Sequence, residues 1–287
     1  MMKKILKIFY CIVACLTLTA CSSTKKAEKS ASSVPATNAK QADKRVVTFF
    51  FHGWGSSINA EKQMVNAAKK AGVTKDVLTV IVDSNGVAHI QNAISKQAKN
   101  PIVKVGYLDN ENTNYHTDAK YAYAAIMAVQ KQYHYKKMNL VGHSMGNMSI
   151  MYLLMDYGKR KSLPKLEKQV DIAGHFNGII AYDKTSYTTL NHDGKPEQMN
   201  NIYKELLKMR SLYPKGVSVL NIYGNLNDGS NSDGIVSNVS SRSLKYLIAP
   251  HVKSYTEKEI LGKMGQHSKL HENKQVDQVL IKFLWNK

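Results

Sequence analysis

Ser144 lies in Gly142-His143-Ser144-Met145-Gly146, a Gly-x-Ser-x-Gly spacing. A serine hydroxyl becomes a useful nucleophile only when a base takes its proton and a third group orients that base. The spacing alone is weak: with Gly and Ser each about 7% of residues, chance places it in roughly one protein in ten of this length. Its surroundings strengthen it. Residues 137–141 (KMNLV) read as a short strand, and residues 149–157 as a helix closed by Gly158. The serine then sits on a strand-turn-helix bend that lifts its Oγ above a sheet. Side chains at 142 and 146 would collide with the neighbouring strand and helix. The helix start behind Ser144 offers backbone N–H groups and a positive dipole end to developing negative charge.

A base and an acid must follow. In the chain order that goes with such a bend, the acid and then the histidine come after late strands. The strand at 217–223 is followed by GNLNDGSNSDGIVSNVSS, which offers Asp228 and Asp233. The extended stretch at 251–260 is followed by LGKMGQHSKLHENKQV, which offers His267 and His271. The order Ser, Asp, His is satisfied, and the choice within each pair is open at this level. The other histidines show no H-x-x-x-H or H-E-x-x-H spacing, and the three cysteines (Cys11, Cys15, Cys21) all precede residue 22. A zinc centre is therefore not expected in the body. Asp109-Asn110-Glu111-Asn112 lacks the spacing of an EF-hand loop and reads as a solvated loop. No glycine-rich phosphate loop is present. No cofactor or metal is expected.

Strands and helices alternate around these residues. The run at 46–51 (VVTFFF) is continuously apolar, as a strand buried on both faces would be, and it ends in His52-Gly53-Trp54-Gly55. Helices are expected at 60–71, 118–133, 149–157 and 274–285, and further strands at 77–82, 102–107, 137–141, 169–173, 217–223 and 251–260. This alternation predicts an α/β fold with a largely parallel sheet covered on both faces. Between 173 and 217 lies a long connection; residues of about 175–215 read either as a cap over the site or as an ordinary packed excursion. Its Ile179, Ile180, Tyr182 and Tyr187 are candidates for an apolar acyl pocket.

The string from Val46 to Ser57, the GHSMG bend, the Asp-Gly-Ile-Val run and the segment 266–276 together resemble an α/β-hydrolase. More narrowly, they resemble a family of secreted and cell-surface α/β-hydrolases of Gram-positive bacteria catalogued as a domain of unknown function. The resemblance covers 45–287. It implies a Ser-His-Asp triad that works through an acyl-enzyme. The Asp-x-x-Val pattern common at the acid of such enzymes fits Asp233-Gly234-Ile235-Val236 and not Asp228. The pattern around the histidine favours His267 over His271. The resemblance also implies an oxyanion hole made by the backbone N–H of Met145 and that of Trp54, in a loop similar to the HG-x-G loops of lipases. His52 in that loop either braces the hole or touches substrate.

The start of the chain reads as an address. Lys3, Lys4 and Lys7 precede an apolar run that ends in Leu18-Thr19-Ala20-Cys21. This is the layout of a signal peptide over 1–20, and its end resembles the bacterial lipoprotein cleavage box. Acylation of Cys21 would hang the protein on the outer face of the membrane. Residues 21–44, rich in Ser, Ala, Lys and Thr, read as a flexible tether. The body, 45–287, is expected to be one hydrolase domain.

The 287 residues carry 40 Lys and Arg against 21 Asp and Glu, a net charge of +19. Residues 1–44 hold eight lysines against Glu28 and Asp43, so +6 belongs there and +13 to the body. An extracellular address removes nucleic acid as the partner of that charge and leaves anionic lipid headgroups or wall polymer. The expected function is cleavage of small-molecule or lipid carboxylic esters. The alternatives are a non-catalytic surface lipoprotein that binds anionic polymer on a hydrolase fold, or an acyltransferase, thioesterase or peptidase with the same triad. The choice between them rests on the pocket, not on the fold.

Overall fold

A computed structural model describes residues 45–287. The signal peptide, Cys21 and the tether expected from the sequence lie outside these residues.

Eight strands form one sheet: β1 (Val46–Phe51), β2 (Val77–Val82), β3 (Ala88–Ile90), β4 (Ile102–Tyr107), β5 (Lys137–His143), β6 (Lys165–Ile172), β7 (Ser218–Asn225) and β8 (Ser254–Leu261). Their order is β3-β2-β4-β1-β5-β6-β7-β8, parallel throughout except for the antiparallel pair β2–β3. The central position of β1 follows from its sequence. Phe49 and Phe51 enter the core on one face and Phe50 the core on the other, because successive side chains of a strand point to opposite sides. Burying each phenylalanine is worth about 1.5–3 kcal/mol.

Helix α1 (Lys62–Lys70) covers the Phe50 face, joined there by α8 (Lys274–Trp285). Helices α2 (Tyr115–Tyr133) and α3 (Met145–Tyr157) cover the other face. Asn114 caps α2 by accepting from the N–H groups of His116 and Thr117. Helix α3 is buried from Met145 to Leu154, so it runs under the sheet's centre with almost no polar side. The connection 173–217 contains a short 3-10 turn (Lys184–Tyr187), α4 (Asn201–Leu206) and α5 (Met209–Leu212). After β7 come α6 (Asn238–Arg242) and α7 (Leu244–Ile248).

Several elements depart from the sequence reading. Helix α3 starts at Met145, directly behind Ser144 as the bend implies, and so takes in residues 145–148 ahead of the stretch 149–157. The connection 173–217 holds the short helices α4 and α5. Strand β3 and helices α6 and α7 were not expected.

Candidate active site

The parallel strands carry every segment that leaves them to one end of the sheet, and the sequence-selected residues meet there. Ser144 has φ 54° and ψ −120°, a left-handed backbone that a non-glycine residue adopts only when its surroundings impose it. Here they do. The Ser144 N–H donates to Ile172 O at 2.9 Å, and Asn147 Nδ2 donates to both Ser144 O and Ile172 O. The flanking glycines are sterically required. A Cβ on Gly146 would lie 2.2 Å from Phe51 O, and one on Gly142 2.7 Å from Asn147 N.

Ser144 Oγ is 2.9 Å from His267 Nε2, and His267 Nδ1 is 2.8 Å from Asp233 Oδ2. A carboxylate only accepts, so His267 carries its proton on Nδ1 and leaves Nε2 to accept from the serine. Asp233, 1% exposed, is itself fixed: its Oδ1 accepts from the N–H groups of Ile235 (2.9 Å) and Val236 (2.7 Å). The His267 N–H donates to Asp233 O at 2.9 Å, which ties the two segments together. Asp228 and His271 stand apart from this chain. Asp228 closes an exposed turn by accepting from Ser230 N–H, and the His271 ring meets His143 edge-on at 4.8 Å.

Met145 follows the serine directly, and Trp54 lines the same cavity as the serine. Among the described residues neither the Met145 N–H nor the Trp54 N–H has an acceptor within the protein. The Trp54 loop is zipped to the segment after β4: Gly55 N–H donates to Asn110 O, Asn110 Nδ2 to Ser56 O and the Trp54 indole to Glu111 O. The segment read from sequence as a merely solvated acidic loop thus braces this turn. His52, 2% exposed, accepts from Tyr107 N–H at Nε2 and so donates from Nδ1 to Gly53 O at 2.8 Å. One ring nitrogen is engaged by the loop and the other by the end of β4, which makes His52 a brace.

A cavity of about 650 Å³ opens at Ser144. Its walls include Trp54, Tyr115, His175, Ile179, Tyr182 and Ile202. The apolar wall expected from the connection 173–217 is half realised. Ile179 and Tyr182 line the cavity, whereas Ile180 and Tyr187 do not; Tyr187 is 54% exposed and points to solvent. Among the described residues no Lys or Arg lines this cavity, and the one carboxylate in its wall is that of Asp183.

A family model matches residues 35–287. The chain belongs to the family described as alpha/beta hydrolase of unknown function (DUF915). Two solved structures share the fold of this α/β hydrolase. The product of gene lin2722 from Listeria innocua is 26% identical, with a TM-score of 0.77, over 85% of this chain and 95% of that one. A Lactobacillus plantarum WCFS1 protein assigned as a cell surface hydrolase is 23% identical, with a TM-score of 0.71, over 86% and 94%. A search of curated proteins finds no match.

Three residues of this α/β hydrolase site were not singled out by sequence reasoning in the roles the structure gives them. His143 donates from Nε2 to the carbonyl of His267 at 3.0 Å. Burial, with the imidazoles of His267 and His271 close by, holds His143 well below the ordinary histidine range, so it stays neutral and fixed as a donor. Asn147 pins the bend. His175 faces the cavity, is lowered to about 4 by burial and by His267, and lies 3.3 Å from the Tyr115 hydroxyl. Only His143 and Asn147 had a signal in the sequence, their nearness to Ser144. The arrangement as a whole can take a proton from Ser144, hold it on an oriented imidazole and offer two N–H groups to an oxyanion.

Proposed function

We propose that this α/β hydrolase is a serine hydrolase of the cell surface that cleaves carboxylic esters through an acyl-enzyme. Ser144 Oγ attacks the ester carbonyl carbon while its proton passes to His267 Nε2. The tetrahedral oxyanion is held by the N–H groups of Met145 and Trp54, and Asp233 stabilises the imidazolium. His267 then protonates the departing alkoxide. Water, deprotonated by the same imidazole, releases the acid and restores Ser144. The observation that carries the reading is the unbroken hydrogen-bonded chain from Asp233 through His267 to Ser144, opening on a walled cavity beside two unused N–H donors. Losing one such donor typically costs about 2.7–4 kcal/mol of transition-state stabilisation.

The cavity supports a neutral ester as substrate. A fixed negative charge on the substrate would meet Asp183 and, among the described residues, no lining cation. Residues 1–20 act as a lipoprotein signal in this reading, and acylated Cys21 anchors the mature chain to the outer face of the membrane through the tether 21–44.

A fluorophosphonate probe should label the wild type and fail to label Ser144→Ala. A chain-length panel of p-nitrophenyl esters should give turnover that Ser144→Ala abolishes. Absence of labelling of folded wild type would overturn the enzymatic reading. Incorporation of labelled fatty acid in cells, lost in Cys21→Ser, tests the anchor separately.

A further inference from the structure

The body's positive charge is not spread evenly over the fold. Because all strands but β3 run in one direction, the segments that leave them gather at the end that carries Ser144, Asp233 and His267. The segments that lead into them gather at the opposite end. The leaving segments (52–61, 83–87, 108–114, 173–200, 226–237 and 262–273) hold ten Asp and Glu against four Lys. The leading segments (71–76, 91–101, 134–136, 158–164, 213–217 and 249–253), with Arg45 ahead of β1, hold ten Lys and Arg against Asp76 alone. The formal charges of the two ends are therefore −6 and +9, or −5 and +9 with the buried Glu61 neutral. These leading segments are physical neighbours: Lys165 N–H donates to Lys136 O, Lys253 N–H to Val217 O and Gly216 N–H to His251 O.

Lysines at helix C-termini complement the helix dipole, and Lys69, Lys70, Lys131 and Lys282 sit in last turns. That effect does not account for the loop cations, which were counted without any helical residue. Two further observations give the basic end a direction. A groove of about 470 Å³ opens there, with Lys69, Lys75 and Lys99 against the single carboxylate of Asp76 in its lining. The chain also joins the domain at this end, where the Arg45 guanidinium donates to Lys96 O and Tyr133 O.

We infer that the end of the domain where the strands begin is a docking surface for an anionic lipid bilayer, so that the active site faces away from the membrane. The inference rests on the proposed anchor for its setting. A spacer of 24 residues, as proposed for 21–44, spans about 25–30 Å root-mean-square as a coil, which lets the basic end reach the surface. Charge on every leading segment suits a plane of headgroups better than a single polymer strand. Each basic residue at an anionic surface adds severalfold to partitioning at low salt, within a Debye length. The acidic, outward-facing active-site end then meets esters that come from the wall side, not acyl chains still embedded in the same bilayer.

The test uses the mature chain with Cys21→Ser, so that no acyl group contributes. Co-flotation with vesicles of phosphatidylcholine, with and without one-third phosphatidylglycerol, is read at low and high salt. Two triple variants carry the same change in net charge: Lys75→Glu/Lys99→Glu/Lys161→Glu at the basic end, and Lys184→Glu/Lys263→Glu/Lys269→Glu at the active-site end. All six lysines are exposed. Thermal unfolding confirms that each variant is folded. The expected result is salt-sensitive binding to the anionic vesicles only, reduced at least tenfold by the first triple and less than threefold by the second. Equal loss in both triples would overturn the inference, because net charge alone would then explain binding. So would absence of binding at low salt, or binding to soluble poly(glycerol phosphate) without binding to vesicles. None of these outcomes depends on whether Ser144 hydrolyses esters or Cys21 is acylated.

Discussion

Replacing Asp233 by asparagine changes one atom and tests the proposed proton relay. Asp233 Oδ1 accepts from two backbone N–H groups, and Oδ2 accepts from His267 Nδ1. An asparagine in this place has two orientations. Turning its oxygen toward His267 would put its NH₂ against the N–H groups of Ile235 and Val236, leaving both unsatisfied at about 1–3 kcal/mol each. The other orientation keeps those two bonds and points the NH₂ at Nδ1. It therefore prevails, and it forces the imidazole to carry its proton on Nε2, where it can no longer accept from Ser144. The same change in another serine hydrolase costs about 10⁴ in kcat, equivalent to about 5.5 kcal/mol. We expect a comparable fall for Asp233→Asn with KM within about threefold of wild type, measured on a p-nitrophenyl ester, and a near-normal Asp228→Asn. If Asp233→Asn retained a tenth or more of wild-type kcat while folded, Asp233 would not be orienting the base.

Three further outcomes follow from the same geometry. His143→Phe removes the donor to the His267 carbonyl and should lower kcat about tenfold or more with little change in KM; His143→Gln, which keeps an N–H donor, should recover part of it. Gly146→Ala drives a methyl into Phe51 O and should destabilise the domain by about 1–3 kcal/mol or more, read as a fall in Tm. Glu61, 2% exposed with neither carboxyl oxygen bonded, is raised to about 8 by burial, above its ordinary value near 4.5. The folded state thus holds a proton that the unfolded state gives up, so stability should be full below about pH 4.5 and decline as pH rises toward 8. Denaturant titrations at pH 5, 6.5 and 8 should show this decline, and Glu61→Gln should flatten it by up to a few kcal/mol.

Most of the site was legible because its chemistry dictates local sequence. Glycines 142 and 146 are forced by close backbone approaches, and the β-branched and aromatic run of β1 reads as a strand buried on both faces, as it is from Val47 to Phe51. The structure brings Ser144, Asp233 and His267 together, the members of each pair that the family pattern favoured. Strand β3 was missed because it is three residues long, although the Asn85-Gly86 pair ahead of it is a hairpin signal. Helices α6 and α7 were hidden by the serines in SNVSSRS, which read as loop. In the fold those hydroxyls are buried and bonded across space, which no local pattern records. His143 was marked by its place beside Ser144, but its acceptor, 124 residues away, was likewise beyond any local pattern.

Those buried serines bear on how a substrate reaches Ser144. Ser237 Oγ donates to Ser186 O, Ser240 Oγ to Gly178 O and Ser241 Oγ to Gly174 O; the Asn177 N–H donates to Ser240 Oγ and the Ile180 N–H to Ile235 O. Five bonds thus lace the near half of the cap segment to the stretch that carries Asp233. Hinging that half outward would break all five, at about 1 kcal/mol each, and would pull on the acid of the relay. Traffic is therefore governed by single side chains at the rim, where Tyr182 is 88% and Trp54 55% exposed. Such a doorway works by rotamer changes on the nanosecond scale rather than by a slow swing of backbone, and turnover need not wait for it.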